Sequence, residues 1–477
     1  MEEFFRIEKD FLGEKKIEKD AYYGIQSLRA KENFHITKTN LSLFPNFIKS
    51  LAKVKKSCAL ANHELGDLTD LQTDAIVQAC NEIIDGKFHD QFIIDPIQGG
   101  AGTSTNMNTN EVIANRALEI LGHERSTYDI IHPNNHINMS QSTNDVYPTA
   151  IKLALYELIY KLKDSLRFLR DSFSEKAIEF KDVLKMGRTQ LQDAVPMTLG
   201  QEFKTFAVMV DEDIFRLREA QALLKEVNLG ATAIGTGINA KKDYRKKAIK
   251  YLREVTGVDY VSAGDLIEAT QDTGIFVHIS GILKRVAIKV SKICNDLRLL
   301  SSGPRAGFNE INLPKMQPGS SIMPGKVNPV IPEVVNQVAY DVIGADATIS
   351  IASEGGQLQL NVFEPLIAYK LFNSINMMRR AFHTLATRCV KGITANEEVC
   401  MNNILNSVTL VTCLNPILGY EKSSALAKEA LATNKRVYDI ILEQELFTKE
   451  ELDELLHPKN MVNNYDNDEV NDEDDCD

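Results

Sequence analysis

Residues 151–173, IKLALYELIYKLKDSLRFLRDSF, set the architecture. Ile151, Leu155, Leu158, Leu162, Leu166, Leu169 and Phe173 recur at steps of three and four, which draws one apolar stripe along an α-helix. The stretch from Pro148 to Gly187 contains no glycine or proline between them, so nothing interrupts the helix. At ~1.5 Å per residue, about thirty such residues form a rod on the order of 45 Å.

Two further uninterrupted runs repeat the pattern. Residues 201–229 place Phe206, Val210, Leu217 and Leu224 on one face, and residues 366–391 do the same with Phe372, Ile375, Phe382, Leu385 and Cys389. Shorter helices are predicted near 46–64, 68–86, 108–121, 282–300 and 333–352, with short helices and turns after residue 396. The expected fold is mostly α with very little strand. Helices this long seldom find enough partner surface within one small domain, which predicts a central bundle and an oligomer. The alternative is an elongated monomeric bundle. Punctuation divides the chain into an N-terminal, mostly helical domain at 1–145, a long-helix domain at 146–396, a small helical domain at 397–462 and an acidic tail at 463–477.

The chain has 477 residues and a formal net charge of −12, a balance that argues against a nucleic-acid surface. Eight acidic residues and no basic ones lie between Asn463 and Asp477. That tail has almost nothing apolar to bury and is expected to be disordered. The seven cysteines form no CxxC pair, which fits reduced thiols in a cytoplasmic protein and suggests no cysteine–metal site. MEEFFRIEKDF lacks the apolar core of a signal peptide, and no run approaches the ~20 apolar residues of a membrane span.

Four segments combine glycine with small hydroxyl and amide residues: GGAGTSTNMN (99–108), SQSTND (140–145), GRTQLQD (187–193) and GSSIMPGKVNP (319–329). The last has neither helical nor strand periodicity and is expected to be a loop, where polar side chains are free to meet a ligand. Its lysine, asparagine and paired serines suit a carboxylate or phosphate. Each segment adjoins a helix start. There, Ser, Thr and Asn ordinarily serve as caps, but the unpaired N–H groups of a helix N-terminus also bind anions. His132 and His136 in HPNNH are spaced four apart, as in some metal pairs. Pro133 argues against a regular helix there and no third ligand is evident, so a structural role, or one supporting a nearby anion site, is expected.

Together these segments resemble the fumarase/aspartase superfamily. GSSIMPGKVNP matches its signature loop, and SQSTNDVYPTA, GRTQLQDAVPMTLGQEF, NLGATAIGTG, DAYYGIQSLRAKENF and GITANEEVC match further blocks, from about residue 6 to 460. The resemblance implies a three-domain fold whose central helices form a bundle shared across a homotetramer, with each active site built from three subunits. GGAGTSTNMNTNEVIANRAL, NEINLP (309–314) and NPVIPEVVNQV (328–338) resemble the aspartase branch. Gln190 agrees with this: fumarases carry a histidine there, working with a carboxylate that matches Glu333, and losing it removes a titratable group suited to water chemistry.

The function implied is reversible removal of ammonia from L-aspartate to give fumarate, as a carbon–nitrogen lyase. Residue by residue, Ser320 is implied as the base that takes the Cβ proton. Ser321, Thr103, Ser142 and Thr143 are implied to hold the β-carboxylate and its aci-carboxylate intermediate. Lys326 and Asn328, with Thr189, would hold the α-carboxylate. Asn144, Gln190 and Thr103 would face the amino group, and Glu333 would stand behind Gln190. Gly319 and Gly325 suit a loop that closes over substrate. No metal or organic cofactor is required, although some aspartases respond to divalent cations; nothing here locates such a site. The expected partner is a small dicarboxylate, with neither nucleic acid nor membrane. The alternatives are a class II fumarase, which adds water to fumarate, and a non-catalytic structural member of the superfamily.

Overall fold

The computed structural model describes residues 4–457 and Met461. The acidic tail at 463–477 lies outside the described residues. The chain divides into two compact units: Met1–Asp164, Asp213–Ile288 and Val338–Arg379 form the first, and Ser165–Glu212, Lys289–Gln337 and Arg380–Asp477 form the second.

Five long helices dominate: Thr143–Glu179, Leu199–Leu223 and Glu364–Arg388, which the apolar stripes predict, and Gly274–Leu300 and Val330–Glu354, which run longer than the expected 282–300 and 333–352. The first has 37 residues and so a length of about 55 Å. Every stripe residue from Ile151 to Phe173 is buried. Strand is confined, among the described residues, to four two-stranded sheets.

The long helix begins at Thr143, five residues before Pro148, rather than after it. A proline inside a helix cannot donate to the carbonyl four residues back. Here that carbonyl belongs to Asn144, and Asn228 Nδ2 donates to it at 3.0 Å instead. A tertiary amide thus repairs the gap that the proline opens.

In the first unit, Pro45–Glu64 and Asp70–Ile84 pack as a helical pair. Thr69 and Gln72 close a reciprocal capping box at the start of the second. Thr103–Ile120 starts earlier than periodicity suggests. Its early residues include Asn106, Asn108 and Asn110, all buried and bonded to other segments. Phe47 stacks edge-on against Tyr147 at 5.4 Å and touches Phe372 at 5.2 Å, an aromatic core beneath the start of the long helix.

In the second unit, Phe173, Phe203 and Phe206 join the stretches of two long helices. A hairpin, Leu184–Thr189 paired with Gln192–Thr198, is rooted by Leu184 and Met186 among Ile404, Leu410, Leu414, Leu426, Ile440 and Leu452 of the short C-terminal helices. Those helices carry their own signals: Thr448 and Glu451 form a capping box that starts Lys449–Leu455.

Candidate active site

Of the predicted residues, Thr103, Ser142, Thr143 and Asn144 belong to the first unit. Thr103 opens its helix after Gly102, whose φ of 91° is left-handed; a Cβ there would stand 2.5 Å from the Tyr147 ring. Only glycine brings the chain that close to the aromatic core. Thr103 Oγ1 is exposed and donates to the Gly100 carbonyl at 2.8 Å. Thr103 also lines a cleft of about 590 Å³ with Arg29, Ser104, His132 and Asn134.

Ser142 caps the long helix. Its Oγ accepts from Asn144 N at 3.2 Å, and its own N–H donates to Asp145 Oδ1 at 2.9 Å. The capping reading of this serine is therefore correct, and its hydroxyl proton is left for another acceptor. Thr143 Oγ1 accepts from Asn106 Nδ2 at 3.1 Å, which joins the two helix starts. Asn144 Nδ2 donates to the Ala233 carbonyl at 2.7 Å. Asp145 Oδ2 accepts from Gly230 N at 2.9 Å and Thr232 N at 3.1 Å, tying the NLGATAIGTG block to the same helix start. Burial pushes the Asp145 carboxyl up to about 6, against the pull of those backbone donors.

Thr189, Gln190, Ser320, Ser321, Lys326, Asn328 and Glu333 belong to the second unit. Thr189 and Gln190 stand exposed at the hairpin tip, where Gln190 and Leu191 are left-handed at φ 55° and 62°. The hairpin is fixed from below. Arg188 Nη1 donates to Glu310 Oε1 at 2.6 Å and stacks on Phe308 at 4.3 Å, while Lys185 pairs with Glu310 at 3.1 Å. Glu310, in NEINLP, is fully buried and neutralised by these two cations.

The 319–329 segment is the loop its composition predicts, and it is clasped at its neck. Gly319 N donates to the Lys326 carbonyl and Asn328 Nδ2 to the Gly319 carbonyl, both at 2.8 Å. Any Cβ on residue 319 would lie 2.7 Å from Asn328 N. Ser320 Oγ accepts from Ile322 N at 3.2 Å and Met323 N at 3.0 Å. Two donors on one oxygen favour its anion. Ser321 is exposed, as is Lys326, whose ammonium has no hydrogen bond or ion pair among the described residues. Lys326, Asn328 and Glu333 share a cleft of about 510 Å³ with Arg298, Asn309 and Asn312; Ser320 and Ser321 are not in its lining.

The two histidines of HPNNH are structural in geometry. Pro133–Ile137 forms one wide helical turn in which His132 Nδ1 accepts from Asn134 N and His136 Nδ1 accepts from His132 N. Burial holds both imidazoles below the usual histidine range, the neutral form those acceptors need.

The sequence motifs give no individual role to Asn106, Asp145, Asn228, Arg188 and Glu310, which they contain, or to Lys55 and Asn138, which lie outside them. The available signal was the density of asparagine at 106, 108, 110 and 115, inside a helix that asparagine disfavours.

Four hydroxyl- and amide-rich segments at helix starts, a hairpin tip and a clasped serine loop, carried by very long helices, define a fumarase-type lyase. A family model described as lyase matches residues 13–344, and one described as fumarase C C-terminus matches residues 410–463. The chain belongs to this lyase family. It is 61% identical over 457 residues to an aspartate ammonia-lyase of Helicobacter pylori, covering 96% of this chain and 98% of the relative. It is 53% identical over 458 residues to an aspartate ammonia-lyase of Escherichia coli, covering 96% of each. Among solved structures, a fumarate lyase:delta crystallin of Brucella melitensis bound to cobalt matches with a TM-score of 0.93 and 54% identity, over 95% of this chain and 98% of that one. A class II fumarase of Schistosoma mansoni matches with a TM-score of 0.89 and 34% identity, over the same shares.

Proposed function

We propose that the chain is an aspartate ammonia-lyase, converting L-aspartate to fumarate and ammonia. The geometric observation that carries the reading is the Ser320 oxygen, which receives two backbone N–H groups on an exposed loop where Lys326 has no ion pair among the described residues. The choice of ammonia over water is supported by Gln190 and by the relatives named above.

The chemistry needs a base for a barely acidic proton and donors for the charge that follows. Ser320, as alkoxide, removes the Cβ proton and becomes the hydroxyl. The electron pair moves into the β-carboxylate, giving an aci-carboxylate. Preorganised donors stabilise that charge, and we assign this to Ser321, Thr103, Ser142 and Thr143. Collapse of the intermediate forms the Cα–Cβ double bond and expels the already protonated amine, which takes the C–N electron pair from Cα and leaves as neutral ammonia. Lys326 and Asn328, with Thr189, hold the α-carboxylate. Asn144 and Gln190, with Thr103, face the amine, and Glu333 stands behind Gln190. These residues supply proton transfer and charge stabilisation themselves, so the reading requires no cofactor.

We further infer a cytoplasmic homotetramer with active sites shared between subunits. Apolar side chains left exposed on the long helices, Val208 and Phe215 on one and Tyr340 and Ile351 on another, support subunit packing. The described cysteines are all free thiols, which suits a reducing compartment.

The test is to supply L-aspartate and L-malate separately and follow fumarate by absorbance. Fumarate from aspartate alone is expected. Fumarate from malate alone makes the chain a hydratase, and turnover of neither by an intact tetramer makes it a non-catalytic member. Sedimentation is expected to show four subunits.

A further inference from the structure

A threonine hydroxyl has one proton and two lone pairs, so a neighbour that donates to it leaves its proton for another partner. Thr143 Oγ1 receives Asn106 Nδ2 at 3.1 Å. Why the amide nitrogen of Asn106 faces Thr143, rather than its oxygen, is decided farther back.

Lys55 is buried, and an ammonium can only donate. It donates to Asn138 Oδ1 at 3.0 Å and to Gln141 Oε1 at 2.8 Å. Asn138 Nδ2 turns the other way, to the Gln141 carbonyl at 3.3 Å. With its oxygen facing the ammonium, Asn138 Oδ1 welcomes only further donors. Asn106 and Asn110, one helical turn apart, each present an NH2 to it, at 3.0 and 3.2 Å. One hydrogen of Asn106 Nδ2 goes to Asn138 and the other to Thr143.

This orientation leaves Asn106 Oδ1 buried with no hydrogen-bond partner among the described residues. An orphaned buried acceptor is unfavourable. The amide is therefore held by its neighbours' donor requirements rather than by its own satisfaction.

We propose that Asn106 and Asn138, anchored on Lys55, are positioning residues that keep the Thr143 hydroxyl proton free to donate to the substrate carboxylate. The proposal rests on the reading of Thr143 as a carboxylate contact. Reversal of Asn106, or of Asn138 with Asn106 following it, would let an oxygen face Thr143 and capture its proton.

The test is a double-mutant cycle on the full-length enzyme. Wild type, Asn106→Asp, Thr143→Val and the double variant are compared for KM and kcat with L-aspartate, and for Kd with succinate, a dicarboxylate that does not react. Asn106→Asp offers only acceptors, so it is expected to raise KM and the succinate Kd by roughly tenfold or more. In the Thr143→Val background the same change is expected to cost less than about twofold. A full-sized effect in that background, or no effect in wild type, overturns the proposal. If thermal unfolding shows that Asn106→Asp does not fold, Lys55→Met paired with Thr143→Val carries the same cycle. A wild type that binds succinate but forms no fumarate from aspartate defeats the functional reading, while the Kd cycle still decides the positioning role. A wild type that binds no dicarboxylate defeats both.

Discussion

The hydroxyl oxygen of Ser320 lies 3.0 Å from the backbone nitrogen of Met323 and accepts its N–H. With the Ile322 N–H at 3.2 Å, this gives the oxygen two donors from its own loop. A serine is a poor base until its alkoxide is stabilised, and local N–H groups do this without spending a charged side chain. Ser320→Ala is expected to lower kcat for fumarate formation by at least about a thousandfold. Succinate affinity is expected to stay within a fewfold of wild type. Near-normal turnover of this variant would remove Ser320 from the mechanism.

Lys326 offers an exposed ammonium with no protein partner among the described residues, on the cleft it shares with Asn328. A charge-assisted bond to a substrate carboxylate contributes about 1.5–3 kcal/mol, or roughly ten- to a hundredfold in affinity. Lys326→Met is expected to raise KM for L-aspartate by that factor and to weaken succinate binding in parallel. Unchanged steady-state constants would show that the α-carboxylate is held elsewhere.

Asp145 joins the start of the long helix to Gly230 and Thr232 through three backbone donors on one buried carboxylate. Asp145→Asn would turn an NH2 toward at least one of those N–H groups. The expected loss is on the order of 1–3 kcal/mol of stability, seen as a lower unfolding midpoint in denaturant. Because Asn144 Nδ2 also bonds this block, through Ala233, KM should rise as well. A stable variant with wild-type KM would mean that the block is held by packing alone.

Glu364 is buried, and desolvation pushes its carboxyl up to about 8 despite the pull of Lys152. Its folded pKa thus lies above its unfolded value of 4.5, so the folded state holds the proton more tightly. The resulting stabilisation is complete below the unfolded pKa and is lost as pH rises through the folded one. Glu364→Gln cannot titrate. Its unfolding temperature relative to wild type is expected to climb between about pH 5 and about pH 9. A difference that does not change with pH would mean that Glu364 is ionised in the folded protein throughout.

Much of the proposed site is drawn from residue type alone. Ser320, Lys326 and Asn328 sit in a segment that cannot pack, and Ser142 and Thr143 sit at a helix start, where hydroxyls belong. The supporting residues were not legible. Lys55 reads as a surface lysine, and its burial depends on Asn138 and Gln141, more than eighty residues away. Pro148 reads as a helix boundary. It lies inside the helix because Asn228, eighty-four residues on from Asn144, supplies the donor that the proline lacks. Arg188 and Glu310 read as ordinary charges until burial makes them a pair that holds the hairpin tip.

The sequence by itself determined the long helices, the loop at 319–329 and the family, since periodicity, punctuation and local motifs are properties of neighbours along the chain. Only the tertiary structure decided which way the polar groups point. It turned Asn106 so that its nitrogen faces Thr143, aimed two N–H groups at Ser320, and left Lys326 unpaired among the described residues. The reason is that a hydrogen bond's direction depends on every donor and acceptor within about 3 Å. In this fold those groups arrive from segments that lie far apart in the chain.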